Sequence, residues 1–331
     1  MKISIKAHYK YALVFSSILS ISLISCGTVS NVAQNGGSQP QEFASNDSSK
    51  AESVKNPAPE AKIPTAAEIY KEKIAGISLK AESFPGETTK GRAFSKPYVV
   101  KATDASGNAV QNLEIAVSLP YSDSEKKILL TDENGAISFI PETPAKSMNS
   151  EIKFYPDGDI SDSEIAEAAE KLSVSAPYKV QTNLKAAGGL IAVVDFSQSG
   201  KPITSNPVSS SNLLMSLMQL GFTRVGNIDL TNEVLKDDAL ELQRKAKSLV
   251  GNSSSYLIYG TVKYKSAGKN SDGTSEITLA GNLKCLDLKT GEIMFEEEKE
   301  SSASGKNEWN VLRDARKNLA DEFAKSLKYG I

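Results

Sequence analysis

Leu190-Ile191-Ala192-Val193-Val194-Asp195-Phe196 is the stretch that decides the architecture of the C-terminal half. Its apolar residues follow one another without alternation and end in an acid. A half-solvated strand would alternate, so this run reads as a strand covered on both faces by helices. The flanking sequence supplies them. Ser209-Ser210-Ser211 precedes Leu213, Leu214, Leu217, Met218 and Leu220, a helix with Gly221 at its end. Phe222 to Val225 gives a short second strand, and a helix of mixed polarity follows from about Thr231 to Leu249. Tyr256–Val262, Glu276–Asp287 and Ile293–Lys299 are three more strands, the last two joined through Lys289-Thr290-Gly291-Glu292. An amphipathic helix from Trp309 to Leu327 closes the chain, with Leu312, Leu319, Phe323 and Leu327 on its buried side. The expected order is β-α-β-α-β-β-β-α over residues 188–331.

Upstream, Ala186-Ala187-Gly188-Gly189 reads as a domain junction, and before it the pattern is that of strands. Tyr98–Thr103 runs into the turn cluster Asp104–Asn108, and Leu113–Leu119 then alternates strictly. Ile128-Leu129-Leu130 leads through Thr131–Gly135 to Ala136–Ile140, where Pro141 ends the strand. Asn134-Gly135 is a hairpin signal, because both residues tolerate positive φ. Asp104, Asp132 and Glu133 are read as turn acids that bond their own backbone, rather than as calcium ligands. A short helix is expected over Ser161–Leu172, followed by a strand around Tyr178-Lys179-Val180. The region 66–185 is therefore expected to be an all-β sandwich. Residues 26–65 are rich in Ser, Asn, Gln, Pro, Ala and Gly, with too few large apolar side chains to offset ordering entropy, and are expected to be a disordered linker. Such a coil would span roughly 35 Å on average.

Residues 1–25 carry Lys2, Lys6 and Lys10 and then a short apolar run from Tyr11 to Leu23, too short to span a bilayer as a helix and flanked like an export signal. Leu23-Ile24-Ser25-Cys26 resembles the lipobox of bacterial lipoproteins. The resemblance implies cleavage before Cys26, lipidation of its thiol and attachment to the bilayer. Gly27 and Thr28 are not the Asp that retains many lipoproteins in the inner membrane, which favours the outer membrane with the protein facing the periplasm.

Cleavage would also narrow the chemistry. His8 is the only histidine in the sequence and would leave with the signal peptide. Without imidazole, Ser-His-Asp and Cys-His catalysis and His-ligated metal sites are excluded. With Cys26 lipidated, Cys285 is a lone thiol in an alternating stretch, read as a small buried hydrophobe. Ser199-Gly200-Lys201-Pro202-Ile203-Thr204 follows a strand and precedes a helix. It is no phosphate loop, because Asp195 and Pro202 stand where the first Gly and the Ser or Thr are needed. No catalytic residue, cofactor or metal is assigned. The chain is net acidic and lacks a basic patch interleaved with aromatics, so nucleic acid is not expected as a partner.

Two family resemblances follow. "VKATDASGNAVQNLEIAVSL" (100–119) and "LLTDENGAISFIPET" (129–143) resemble the immunoglobulin-like or transthyretin-like modules of bacterial surface proteins. "IAVVDFS", "SSNLLMSLMQLGFTRV", "SSYLIYGTVKY" and "ITLAGNLKCLDLKTGEIMFEEEKE", with the final helix, are similar to the CsgG and LpoB group. That group includes the curli secretion lipoprotein and the outer-membrane lipoprotein that activates a class A penicillin-binding protein. The polar connection Lys265–Glu276 is too short for the membrane strands of the secretion channel. The resemblance thus implies a non-enzymatic envelope lipoprotein that engages and positions or activates another envelope protein, a peptidoglycan synthase being the specific candidate. The alternatives are an accessory subunit of an export complex or surface-organelle base and, last, a carboxylate-dependent enzyme. Homo-oligomers are compatible with each. Glu296 and Glu298 are expected on one exposed face of an edge strand, either guarding it against aggregation or binding a partner. Trp309 is either a core anchor at the start of the last helix or an interface residue.

Overall fold

The computed structural model describes residues 63–121 and 126–331. The signal peptide, Cys26 and nearly all of the linker lie outside these residues. Thr65 opens the first helix, α1 (Ala66–Lys73), with a capping box: its hydroxyl accepts from the Glu68 N–H at 3.1 Å, and the Glu68 carboxylate accepts from the Thr65 N–H at 2.8 Å. Then come β1 (Ser78–Ser83), β2 (Thr88–Thr89), β3 (Tyr98–Thr103), β4 (Glu114–Ser118), β5 (Lys127–Leu130), β6 (Ala136–Phe139), β7 (Met148–Pro156), α2 (Ser163–Leu172) and β8 (Val174–Gln181). Strands β1-β3-β6 form one antiparallel sheet. Strands β2-β8-β7-β4-β5 form a second, in which only β2 and β8 run parallel.

The alternation anticipated from sequence fills the space between these sheets. Tyr98, Val100, Ala102, Ile137 and Phe139 from the first meet Ile115, Val117, Ile152, Phe154, Tyr178 and Val180 from the second in one core. The module is not all-β, however. Ala116 and Tyr155 put apolar surface on the outer face of the second sheet, and α1 and α2 cover it with Ala67, Tyr70, Ile74, Ile165 and Ala169.

The Asn134-Gly135 turn is present, with Gly135 at φ 73° and Asp132 accepting from the N–H groups of Asn134 and Ala136. It does not close a hairpin, because β5 and β6 belong to different sheets. It is a corner between sheets, as is the Asp104–Asn108 turn, where Asp104 accepts from the N–H groups of Ser106 and Asn108. Buried Thr131 links the two corners: its hydroxyl donates to the Val110 carbonyl at 2.6 Å and accepts from the Leu113 N–H at 2.9 Å.

The second module holds β9 (Gly189–Phe196), β10 (Pro202–Ile203), α3 (Val208–Gln219), β11 (Val225–Asn227), α4 (Thr231–Lys236), α5 (Ala239–Val250), β12 (Tyr256–Lys269), β13 (Ser275–Asp287), β14 (Ile293–Gly305) and α6 (Glu308–Gly330). The sheet order is β10-β9-β12-β13-β14, with β11 also on β9; β9 is parallel to β11 and β12. The continuous apolar run now has its reason. Ile191 and Val193 face the core made with α3 and α6, while Leu190, Ala192 and Val194 face the core made with α4 and α5. Gly188 and Gly189 are small because a Cβ would stand 2.1 Å from the Ser253 carbonyl oxygen and 2.3 Å from the Tyr256 ring, respectively.

Three expectations are corrected. The single helix over 231–249 is two, broken where Asp237 adopts φ 52° and Asp238 caps α5. The polar connection Lys265–Glu276 is mostly strand: β12 runs to Lys269 and β13 starts at Ser275, leaving Asn270–Thr274 as the turn. β14 likewise continues past Lys299 to Gly305. These extensions form a ribbon whose one face packs on the start of α6 through Tyr264, Ile277, Leu279, Ala303 and Val311. The modules meet at the other end of α6, where the Thr182 N–H donates to the Lys328 carbonyl at 2.8 Å and Glu87 pairs with Lys328 at 2.6 Å.

Candidate functional site

Asp195, the acid that ends β9, is a structural group. It is 1% exposed, accepts from the Ser209 N–H at 3.0 Å and hydroxyl at 2.6 Å, and pairs with Arg316 at 3.2 Å. It thereby caps α3, whose own N-cap, Pro207, supplies no side-chain bond, and it ties that helix to α6. The neighbouring Ser210 hydroxyl accepts from the Val193 N–H at 2.8 Å and donates to the Val193 carbonyl at 3.1 Å. One side chain thus satisfies both backbone groups of Val193, in the gap between the pairings of β9 with β10 and β11. Ser199 and Gly200 form the tight β9–β10 turn. Cys285 is fully buried in the core, and burial pushes its thiol far above the ordinary range, which leaves it no nucleophilic role.

What remains open is the far side of the sheet. On the face away from α6, three strands present a grid of polar side chains. Following the register, Tyr259, Lys284 and Glu296 form one row, Thr261, Asn282 and Glu298 the next, and Lys263, Ala280 and Glu300 the third. The two predicted glutamates therefore stand side by side on β14, both exposed, as the strand period requires. Lys284 is the hub: its ammonium lies 2.7 Å from Asp237 and 3.5 Å from Glu296. Burial alone would lower its pKa, but these two acids outweigh that and raise it. The Asn282 amide donates to Glu298 at 3.0 Å, and Lys265 reaches Glu300 at 2.5 Å across the small Ala280.

Beside this grid, α4 and the end of β9 leave a cleft of about 320 Å³, walled by Phe196, Leu235 and Asp237 and floored by Lys263, Asn282 and Lys284. Lys263 lies 4.9 Å from the centre of the Phe196 ring. Sequence reading did not find these residues. Their signal was the polar alternation of Thr261, Lys263 and Lys265 with Val262 and Tyr264, which marks one solvated sheet face.

β14 is the outer strand of the sheet. Among the described residues no strand pairs with its far side, so 13 residues, about 43 Å, present an open row of backbone donors and acceptors. Trp309 follows directly, in the first turn of α6. It is no core anchor: it is 69% exposed, with the Arg313 guanidinium 5.4 Å from its ring centre. Among the described residues no helix is long and apolar enough to cross a membrane.

Residues 188–328 match the family described as TP0693-like lipoprotein, C-terminal domain. No curated protein matches the chain. Among solved structures, the chain is similar to the PelC dodecamer from Paraburkholderia phytofirmans, with 12% identity over 44% of this chain and 89% of that one, at a TM-score of 0.32. It is similar to a minor lipoprotein from Acinetobacter baumannii, with 9% identity over 43% and 92% and a TM-score of 0.28. Lipoprotein GNA1162 from Neisseria meningitidis aligns at 15% identity over 42% and 99%, with a TM-score of 0.26. The family match supports a lipoprotein, held in the cell envelope by its lipid. It lends no specific support to the CsgG and LpoB group.

Proposed function

We propose that this lipoprotein is a non-catalytic binding protein of the outer membrane, facing the periplasm, that engages another envelope protein and positions or activates it. The observation that carries this reading is the open outer edge of β14, continued by exposed Trp309 and Arg313. A long free edge recruits an added strand through main-chain hydrogen bonds, and Trp and Arg are the side chains most often found to dominate interfaces. Histidine is absent after His8, and the one cysteine in the described modules is buried, which further supports binding over chemistry. A peptidoglycan synthase is the partner suggested by the resemblance of the C-terminal half to the activator lipoprotein.

Photo-crosslinking in intact cells tests this. A crosslinker at Glu298 should capture one dominant envelope protein, whereas one at exposed Leu240 on α5 should not. Trp309→Ala should weaken capture by about tenfold, the loss of a hot-spot residue. Equal capture from Glu298 and Leu240 would refute the edge as the binding site. Cys26→Ala should release the protein into the soluble fraction and abolish lipid labelling.

A further inference from the structure

The charge along β14 is divided. Its first part carries Glu296, Glu297, Glu298, Lys299 and Glu300, and its second part is Ser301-Ser302-Ala303-Ser304-Gly305, followed by exposed Lys306. We propose that β14 pairs antiparallel with β14 of a second copy, about a two-fold axis at Ser301, so that two sheets become one. The inference rests on the reading of β14 as a binding edge, and it makes the second copy a competitor of any other strand for that edge.

The register follows from pleat and charge. Residues directly opposite each other in an antiparallel pair share a face, so a two-fold axis through the sheet must pass through a residue, not between residues. Centring on Glu300 sets that acid against its own copy. Centring on Lys299 sets Lys299 against itself and Glu298 against Glu300. Like charges directly opposite are destabilising. Centring on Ser302 sets Glu298 against Lys306 but cuts the overlap within the strand to residues 299–305.

Centring on Ser301 avoids all of these. Glu300 then faces Ser302, Glu298 faces Ser304, Lys299 faces Ala303, and Glu297 faces Gly305. Glu296 comes opposite Lys306 of the second copy, an exposed lysine with no ion pair among the described residues, which extends the Tyr259-Lys284-Glu296 row by one more cation. Residues 297–305 of both copies lie opposite one another, entirely within the observed strand. Exposed Ile293 and exposed Trp309 come to the same end of the joint, one from each copy. The interface is isologous and closes at two copies, which consumes the aggregation-prone edge instead of propagating it. The glutamates then act as a register selector.

Sedimentation velocity on residues 26–331 carrying Cys26→Ser should show a concentration-dependent monomer–dimer equilibrium. Glu296→Lys and Lys306→Glu should each weaken the dimer about tenfold, and the double exchange should restore it to within a few-fold of the parent. Circular dichroism should stay unchanged in all three, which separates lost pairing from lost fold. A chain monomeric through high micromolar concentration overturns the proposal, as does a dimer indifferent to both single exchanges or not rescued by the double. A monomeric chain that still crosslinks its envelope partner through Glu298 overturns self-pairing alone. A charge-sensitive dimer that captures only a second copy of itself in cells overturns the partner reading alone.

Discussion

Replacing Asp195 by Ala removes the group that joins three elements. Its carboxylate is 1% exposed and receives two hydrogen bonds from Ser209 and the charge of Arg316, whose side chain is itself only 10% exposed. The Ala variant leaves a buried guanidinium without its acid and the first turn of α3 without its cap. Breaking a buried ion pair from one side costs about 3–5 kcal/mol. Loss of a cap alone costs about 1 kcal/mol and overlaps with that figure rather than adding to it. Against a typical domain stability of about 5–15 kcal/mol, this is about a fifth or more of the total. For a chain of this size it corresponds to a drop of roughly 4–9 °C in melting temperature. Urea unfolding followed by circular dichroism measures it, and Asp195→Asn should fall between parent and Ala because the amide keeps an acceptor for Ser209 but carries no charge. Combining Asp195→Ala with Arg316→Met should recover much of the loss, since removing both charges leaves none stranded. A loss below about 1 kcal/mol for Asp195→Ala, or strict additivity with Arg316→Met, would refute the assignment of Asp195 as the joint between β9, α3 and α6.

Gly135→Val should destabilise the first module by at least about 2 kcal/mol, because the residue sits at φ 73° and a Cβ would stand 2.4 Å from the Ala102 carbonyl oxygen; an unchanged urea midpoint would show the corner to be misplaced. The contact between modules should depend on pH through Glu87. Burial would raise its pKa, but hydrogen bonds from Lys328 and Tyr329 outweigh burial and hold it below the ordinary carboxylate range. A depressed carboxylate contributes stability above its unfolded pKa, about 4.3, and loses it as pH falls through the folded value. Glu87→Gln should therefore lower the urea midpoint at neutral pH, and the gap to the parent should close below about pH 4; a gap constant with pH would count against this ion pair.

How much of this was legible depended on where each residue finds its partner. The run Leu190–Phe196 announced a doubly covered strand because burial on both faces leaves a mark inside seven residues. The Lys289–Glu292 turn was equally plain, since Gly291 at φ 83° needs no distant partner. Helix α1 carried a readable signal, the Thr65 and Glu68 capping box, yet the sequence reading ended the linker at residue 65 and expected strands, not a helix, directly beyond it. The ribbon ends were not legible: Ser266, Gly268, Ser302 and Ser304 alternate no apolar face, and their pairing comes from neighbouring strands rather than from their own pattern. Asp195 was visible as an acid ending a strand, but its purpose lay in Ser209 and Arg316, far off in the chain. The exposed edge glutamates were read correctly because period two fixes a face from local sequence alone. The lysines and asparagine that meet them come from other strands, so the grid had to be seen folded.

Helix α1 stands where the chain enters the described part of the protein, and it is clipped to the module by the Tyr70 hydroxyl on the Pro156 carbonyl at 2.7 Å and by Lys71–Glu164 and Lys73–Glu114. A pull arriving along the chain from its N-terminal side loads these clips before it reaches either sheet. Two of the three are solvent-exposed ion pairs, each contributing under about 1 kcal/mol, so the helix is held chiefly by buried Ala67, Tyr70 and Ile74. The helix lies first in the line of load, and unwinding its eight residues from a rise of about 1.5 Å each to an extended 3.3–3.6 Å each adds roughly 15 Å of reach. A pull at this point is taken up first as added reach in α1, before it is felt by β14 or its sheet.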